Sequence, residues 1–186
     1  VQWVGLQSKE GLAFINPSNG EILWNYEEGA STIPSSVISS NNVVLIPSNG
    51  LTAMEEPVAG KAPKQLWRNN KLAPGTGSPS VSGDQVFVIN RANVLTSASV
   101  ETGEINWRLR IKGPISGSPI VTNQTLFIFN EEGLCQVIDI SLKSEAKILK
   151  EIDLKDTILC TPAADQGSLF VRSDSKLWKI GPASNN

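Results

Sequence analysis

The chain has 186 residues, 40% of them hydrophobic and 18% charged, which is enough apolar material for a core of its own. Sixteen basic residues against 18 acidic ones leave a net charge of -2, a balance that favours neither nucleic acid nor an anionic membrane surface as a partner. There is no histidine, neither of the two cysteines sits in a CxxC, and no apolar run approaches the roughly 20 residues of a membrane span, which excludes the zinc-finger constellation, the Ser-His-Asp triad and the Cys-His nucleophile pair.

In chain order, VGLQSKEGL (4–12) is the first short strand, polar turn and leucine. A strand ending in Trp24 follows, reached through the turn PSNG (17–20). TIPSSV (32–37) then opens a second unit, VVLIPSNGL (43–51) continues it, and Trp67 closes it. GSPSV (77–81), VFVINRANVL (86–95) and SVETGEINW (99–107) form a third unit. GSPIV (117–121), LFIFNEEGL (126–134) and SLKSEAKILKEIDL (141–154) form a fourth; the last stretch is the one a helix would claim, and its place predicts a strand with a longer turn. TPAA (161–164) and LFVRSDSKL (169–177) begin a fifth.

Three markers share one period. Trp24, Trp67 and Trp107 are 43 and 40 residues apart, and Pro34, Pro79, Pro119 and Pro162 are 45, 40 and 43 apart. The leucine after the polar turn recurs at Leu12, Leu51, Leu95, Leu134 and Leu177. A period in this range, carried by short β-branched and aromatic runs bounded by Asn, Gly and Ser, predicts an all-β propeller of four-stranded antiparallel blades. Gly20 and Gly103 fall where a tight hairpin needs φ > 0. The expected units are one partial blade at 1–29, blades at 30–70, 71–112 and 113–155, a second partial blade at 156–181 and a tail at 182–186. The partial blades supply strands two to four and strands one to three, so they do not combine into one closing blade. The chain is therefore expected to be an incomplete arc, part of a larger propeller or closed by another chain. No signal peptide is read at its start, and Val1 is not taken as the start of the gene product.

The copies ANVLTSASVETGEINW (92–107) and EGLAFINPSNGEILW (10–24) resemble the pyrroloquinoline-quinone-like propeller repeat. GLTAMEEPVAGKAPKQLW (50–67) keeps the frame with extra turn residues, while EGLCQVIDISLKSEAKILK (132–150) has lost both the Thr-Gly and the tryptophan. The resemblance implies tryptophan docking, with each indole lying against the next blade and the Thr-Gly turn receiving it. It also implies an extracytoplasmic protein, periplasmic or secreted, similar to the outer-membrane assembly lipoprotein propellers. Such a protein works as a non-catalytic scaffold, binding a protein partner or the remaining blades through its loops.

The same family includes quinoprotein dehydrogenases, in which pyrroloquinoline quinone (PQQ) lies between a tryptophan floor and a Cys-Cys disulfide beside a calcium ion. The alternative function is thus a PQQ-dependent alcohol or sugar dehydrogenase whose cofactor and catalytic residues lie outside this segment. No residue here is assigned a catalytic, cofactor-binding or metal-binding role. Glu55-Glu56 and Glu131-Glu132 read as solvated loop charge. Cys135 aligns with Ala13, Thr52 and Thr96, and Cys160 with Thr32, Gly77 and Gly117, both positions for small side chains. Trp178 aligns with Cys135, outside the docking column like Trp3, and is expected at a terminal blade face or an interface. Arg91, Arg108, Arg110 and Arg172 are isolated arginines that read as solvated, with the central channel or top surface as the alternative placement and no role assigned to any one, and Asn123-Gln-Thr is an Asn-x-Thr acceptor sequence.

Overall fold

A computed structural model describes residues 3–58 and 61–182; of the expected tail, 183–186 lie outside the described residues. All regular structure among the described residues is β, in five antiparallel sheets taken strictly in chain order. Blade 1 holds β1 Val4–Ser8, β2 Gly11–Ile15 and β3 Ile22–Tyr26. Blade 2 holds β4 Val37–Ile38, β5 Val43–Ile46, β6 Leu51–Glu55 and β7 Gln65–Asn69. Blade 3 holds β8 Ser80–Ser82, β9 Gln85–Ile89, β10 Val94–Ser99 and β11 Ile105–Arg110. Blade 4 holds β12 Ile120–Thr122, β13 Thr125–Phe129, β14 Leu134–Asp139 and β15 Lys147–Asp153. Blade 5 holds β16 Ala163–Asp165, β17 Ser168–Arg172 and β18 Leu177–Ile180. Residues 141–154 contribute β15, a strand reached through a long turn.

Blades 2, 3 and 4 are hydrophobic on both faces because each is packed on both sides. In blade 3, alternate residues of β9 and β10 divide between two clusters. Val86, Val88 and Ala98 join Leu45, Leu51 and Leu72 in the seam with blade 2. Phe87, Ile89 and Leu95 join Leu126, Ile128 and Ile138 in the seam with blade 4. Seam 1/2 is built on Leu12, Phe14, Tyr26, Val44, Ile46 and Met54, and seam 4/5 on Phe129, Cys135, Ile158, Leu169 and Val171. The period-2 alternation of each strand thus becomes a stack of sheets with a core in every seam. The outer face of blade 1 is left open, and Val4, Leu6 and Ile22 are exposed there.

Two alignments made from spacing are corrected by strand register. β10 and β14 follow matching three-residue turns, because the Asn90 and Asn130 side-chain oxygens each accept two turn N–H groups and Asn93 and Gly133 take positive φ. This makes Leu134 the counterpart of Val94. Cys135, opposite Phe129, takes the column of Leu95, opposite Ile89. The column of Thr52 and Thr96 belongs to Gln136, not Cys135. The second correction concerns Pro34. Val37 pairs with Leu45 as Ser80 pairs with Phe87, so Ser36, not Pro34, matches Pro79. Pro34 shares the column of Gly77, Gly117 and Cys160, where Thr32 was expected.

Candidate functional site

The most developed chemistry in the chain lies in the seams. Trp67 ends the second repeat on β7, and its indole N–H donates to the carbonyl of Val100 at 2.8 Å. The ring rests on Gly103, whose φ is +72°; a Cβ there would come within 2.5 Å of the indole. Asn69 adds a bond from its side-chain N–H to the Gly103 carbonyl at 2.7 Å. The Thr-Gly turn is therefore shaped by its φ and emptied by its lack of a side chain, and both properties serve the tryptophan of the preceding blade.

Trp107 enters the next seam in the same way, packed 5.9 Å from Phe87 and only 7% exposed. Seven residues connect β14 to β15 in the blade it faces, against five between β10 and β11, and the Thr-Gly is gone. The Trp107 N–H is buried with no acceptor among the described residues. Ion pairs at the surface tie this seam instead: Lys143 with Asp84, and Lys112 with Glu151 at 2.6 Å. The Lys112 bond and a bond from Gln136 hold the Glu151 carboxyl below its usual range. Lys150, in the tryptophan column of blade 4, pairs with Val137 and is exposed. Trp24 packs on the cluster of seam 1/2, its ring 5.3 Å from Phe14.

Around the inner edge runs a second set of ties. The Ser35 N–H donates to the Ser78 hydroxyl at 2.8 Å, the Ser78 N–H to the Ser118 hydroxyl at 2.9 Å, and the Ser118 N–H to the Thr161 hydroxyl at 2.9 Å. A Cβ on Gly77 would lie 2.6 Å from the Gly117 carbonyl oxygen, so the innermost chains approach too closely for a side chain at that point.

The remaining sequence candidates are dispersed. Cys135 is buried, and burial pushes its thiol up to about 12, so it stays protonated and inert at neutral pH. Cys160 is also a free thiol, its Sγ 3.2 Å from the Arg172 carbonyl. Glu56 accepts the Trp3 N–H at 2.9 Å, Glu131 accepts the Ser116 hydroxyl at 2.6 Å, and Glu55 pairs with Lys61 at 3.6 Å. The two acidic pairs therefore contain structural acceptors as well as solvated charge. Arg108 and Arg110 lie on β11, the outermost strand of blade 3, and not in a channel. Arg91 is in the β9–β10 turn, Arg172 ends β17, and Asn123 is exposed in the β12–β13 turn with φ of 53°. Trp178 packs into seam 4/5 and donates to the Ser173 hydroxyl at 3.0 Å.

Among the described residues, no three His, Cys, Asp or Glu side chains converge as a hard cation would need. Cys135 and Cys160 are not neighbours in sequence, so they do not supply the Cys-Cys disulfide of the quinone–calcium site, and Glu56 and Glu131 accept bonds from Trp3 and Ser116 in separate places.

Residues 56–145, the stretch containing the intact latch and its altered neighbour, match the family model described as outer membrane protein assembly factor BamB. That stretch carries the BamB-like propeller repeat. No curated protein matches the chain in sequence. Among solved structures, it is similar to BamB from Moraxella catarrhalis, with a TM-score of 0.70 and 18% identity over 97% of this chain and 60% of that one. It is also similar to the computationally designed Ika8 protein, with a TM-score of 0.75 and 14% identity over 96% of this chain and 55% of that one. A third is PorZ of Porphyromonas gingivalis, an essential bacterial surface component of the type-IX secretion system, with a TM-score of 0.64 and 17% identity over 96% of this chain and 23% of that one. At these identities the likeness shows the fold. The chain spans 60% of the length of the BamB structure it matches.

Proposed function

We propose that the chain is a section of a non-catalytic β-propeller scaffold that binds protein partners outside the cytoplasm. The observation that carries this reading is the match of residues 56–145 to the BamB-like repeat, on a fold whose best-formed chemistry is spent on holding blades together. BamB is described as an outer membrane protein assembly factor, and assembly of envelope proteins is the class of work proposed here. A stack of rigid sheets presents its turns at two ends, where side chains contact a partner at little cost in ordering. The five units read from the repeats, residues 1–29, 30–70, 71–112, 113–155 and 156–181, are proposed as consecutive blades of a larger disc, completed by further blades.

The decisive experiment is a titration of the longest available form of the protein with PQQ and Ca²⁺, following quinone absorbance and dye reduction by alcohols and sugars. The scaffold reading expects no saturable binding and no turnover. Stoichiometric quinone binding with substrate-dependent dye reduction would establish the dehydrogenase instead.

A further inference from the structure

We infer that the outer rim of seam 2/3 is a docking groove for an acidic, extended segment of a partner protein. The inference rests on the scaffold proposal and names the chemistry of the partner. Seams 1/2 and 3/4 are each tied at the rim by one ion pair. In seam 1/2, Arg68 on β7 meets Glu28, just beyond β3, at 2.5 Å. In seam 3/4, Glu151 on β15 meets Lys112, just beyond β11, at 2.6 Å. Arg68, Arg108 and Glu151 hold one column of the repeat, because they pair with Thr52, Thr96 and Gln136. Arg108 is thus the residue of blade 3 placed to reach back to blade 2.

The residue in the receiving position is Lys71. Glu28 and Lys71 each stand two places beyond the partner of the repeat's leucine, Tyr26 opposite Leu12 and Asn69 opposite Leu51. Two cations therefore occupy the places that hold opposite charges in the flanking seams. Both line one groove of about 560 Å³, together with Asn69, Ile105 and Asn106. Neither Lys71 nor Arg108 has a carboxylate partner among the described residues. Glu104 also lines the groove, but it lies beside the Gly103 turn, four residues before Arg108 and up to about 13 Å away along an extended strand. Like charges held on one groove raise the local potential and favour an anionic occupant.

The walls are fixed before a partner arrives. Asn69 donates across the seam to the Gly103 carbonyl at 2.7 Å, and its side-chain oxygen accepts the Lys71 N–H at 3.0 Å. The backbone of Lys71 is thereby anchored to blade 3, which spares ordering cost on binding. The edge strand selects a peptide as the occupant. β11 is the outermost strand of blade 3 and pairs only with β10 among the described residues, so its free edge offers backbone N–H and C=O groups to an added strand. Arg108 and Arg110 are exposed on one face of β11, while Trp107 and Leu109 pack into seam 3/4 on the other. Arg110 spends one donor on the Ala92 carbonyl at 3.0 Å. A strand laid along β11 brings alternate side chains beside the two arginines, so the fitting segment has acidic residues at i and i+2 with β-formers between them.

The probe is a fluorescent peptide, GEVEVEG, titrated at low ionic strength into the longest available form of the protein. Its anisotropy and the hydrogen exchange of residues 69–71 and 105–110 are followed. Saturable binding that protects both segments is expected, and it weakens as salt screens the charges. Lys71→Glu and Arg108→Glu each weaken it at least about fivefold. Each variant recreates an opposite-charge pair of the kind that a flanking seam carries, so both are expected to fold, with a urea midpoint no lower than that of the parent. Lys150→Glu, on the exposed rim of blade 4, leaves binding unchanged. No saturable binding, or equal loss in Lys150→Glu, overturns the proposal. So does equal affinity for the rearranged peptide GEEVVEG, which has no carboxylates at i and i+2. Displacement of the peptide by equimolar inorganic phosphate, or binding of phosphatidylglycerol vesicles that is lost in Lys71→Glu, overturns it in favour of a phosphate or a membrane surface. The quinone titration probes a different chemistry, so the scaffold proposal and this one fail separately.

Discussion

Seams 2/3 and 3/4 are made from neighbouring copies of one repeat, yet they hold together by different means. In seam 2/3 the Trp67 ring is half-buried, but its N–H is paired and its turn is cut to receive it. In seam 3/4 Trp107 is more deeply buried, and its N–H has lost its acceptor because the facing turn is longer and lacks glycine. The larger apolar cluster of seam 3/4 offsets the unpaired group, which costs about 1–3 kcal/mol. The lesson is that a docking tryptophan has two separable parts, area and hydrogen bond, and one of them can be lost while the seam persists.

Deleting the rings tests area first. Trp107→Ala is expected to cost about 3–5 kcal/mol in urea unfolding, with Trp67→Ala smaller because its ring is partly exposed. A loss below about 1 kcal/mol at Trp107 would show that the ring is not a core residue. The receiving turn comes next. Gly103 and Gly20 share almost the same φ, +72° and +74°, but a Cβ on Gly20 meets nothing within 4 Å. Gly20→Ala should therefore show backbone strain alone, about 1 kcal/mol, and Gly103→Ala at least about 1 kcal/mol more by displacing Trp67. Equal losses would mean the turn does not seat the ring.

Phenylalanine substitutions isolate the hydrogen bond. Trp67→Phe strands the Val100 carbonyl, whereas Trp107→Phe removes a group already unpaired, so Trp67→Phe is expected to be the costlier by about 1 kcal/mol. Area alone predicts the reverse order, so the sign of the difference decides. The smallest effect belongs to seam 4/5, which has neither latch. There Asp156 accepts from the Ser173 hydroxyl at 2.6 Å and from the Ser175 N–H at 3.1 Å, and these bonds hold its carboxyl down to about 2. A depressed folded pKa stabilises above the unfolded value near 3.9, and that contribution is lost as pH falls through about 2. Exchange protection of the β17–β18 turn should drop over that window in the native chain and be flat in Asp156→Asn.

Much of this was legible from the residues. The repeat period placed the tryptophans, the Thr-Gly turns and the strand assignment of 141–154, because each depends on local pattern and on φ that only certain residues adopt. Loss of the latch in the fourth copy was visible as well. What spacing misassigned was Cys135 and Pro34. Matching Leu134 to Leu95 across turns of equal length slipped the fourth repeat by one residue, and such a slip moves every later side chain to the other face. The hydroxyl ties from Ser35 to Thr161 left a signal in the small-residue columns, but their partners lie about one blade apart in sequence and meet only at the inner edge.

By itself the sequence determined the architecture, since turn chemistry and apolar alternation are local and repeat. Tertiary structure decided which tryptophan keeps its hydrogen bond and which hydroxyls of successive blades meet at the inner edge. Those outcomes depend on what the neighbouring blade supplies, and a neighbour's turn length and side chains act only once the sheets are stacked.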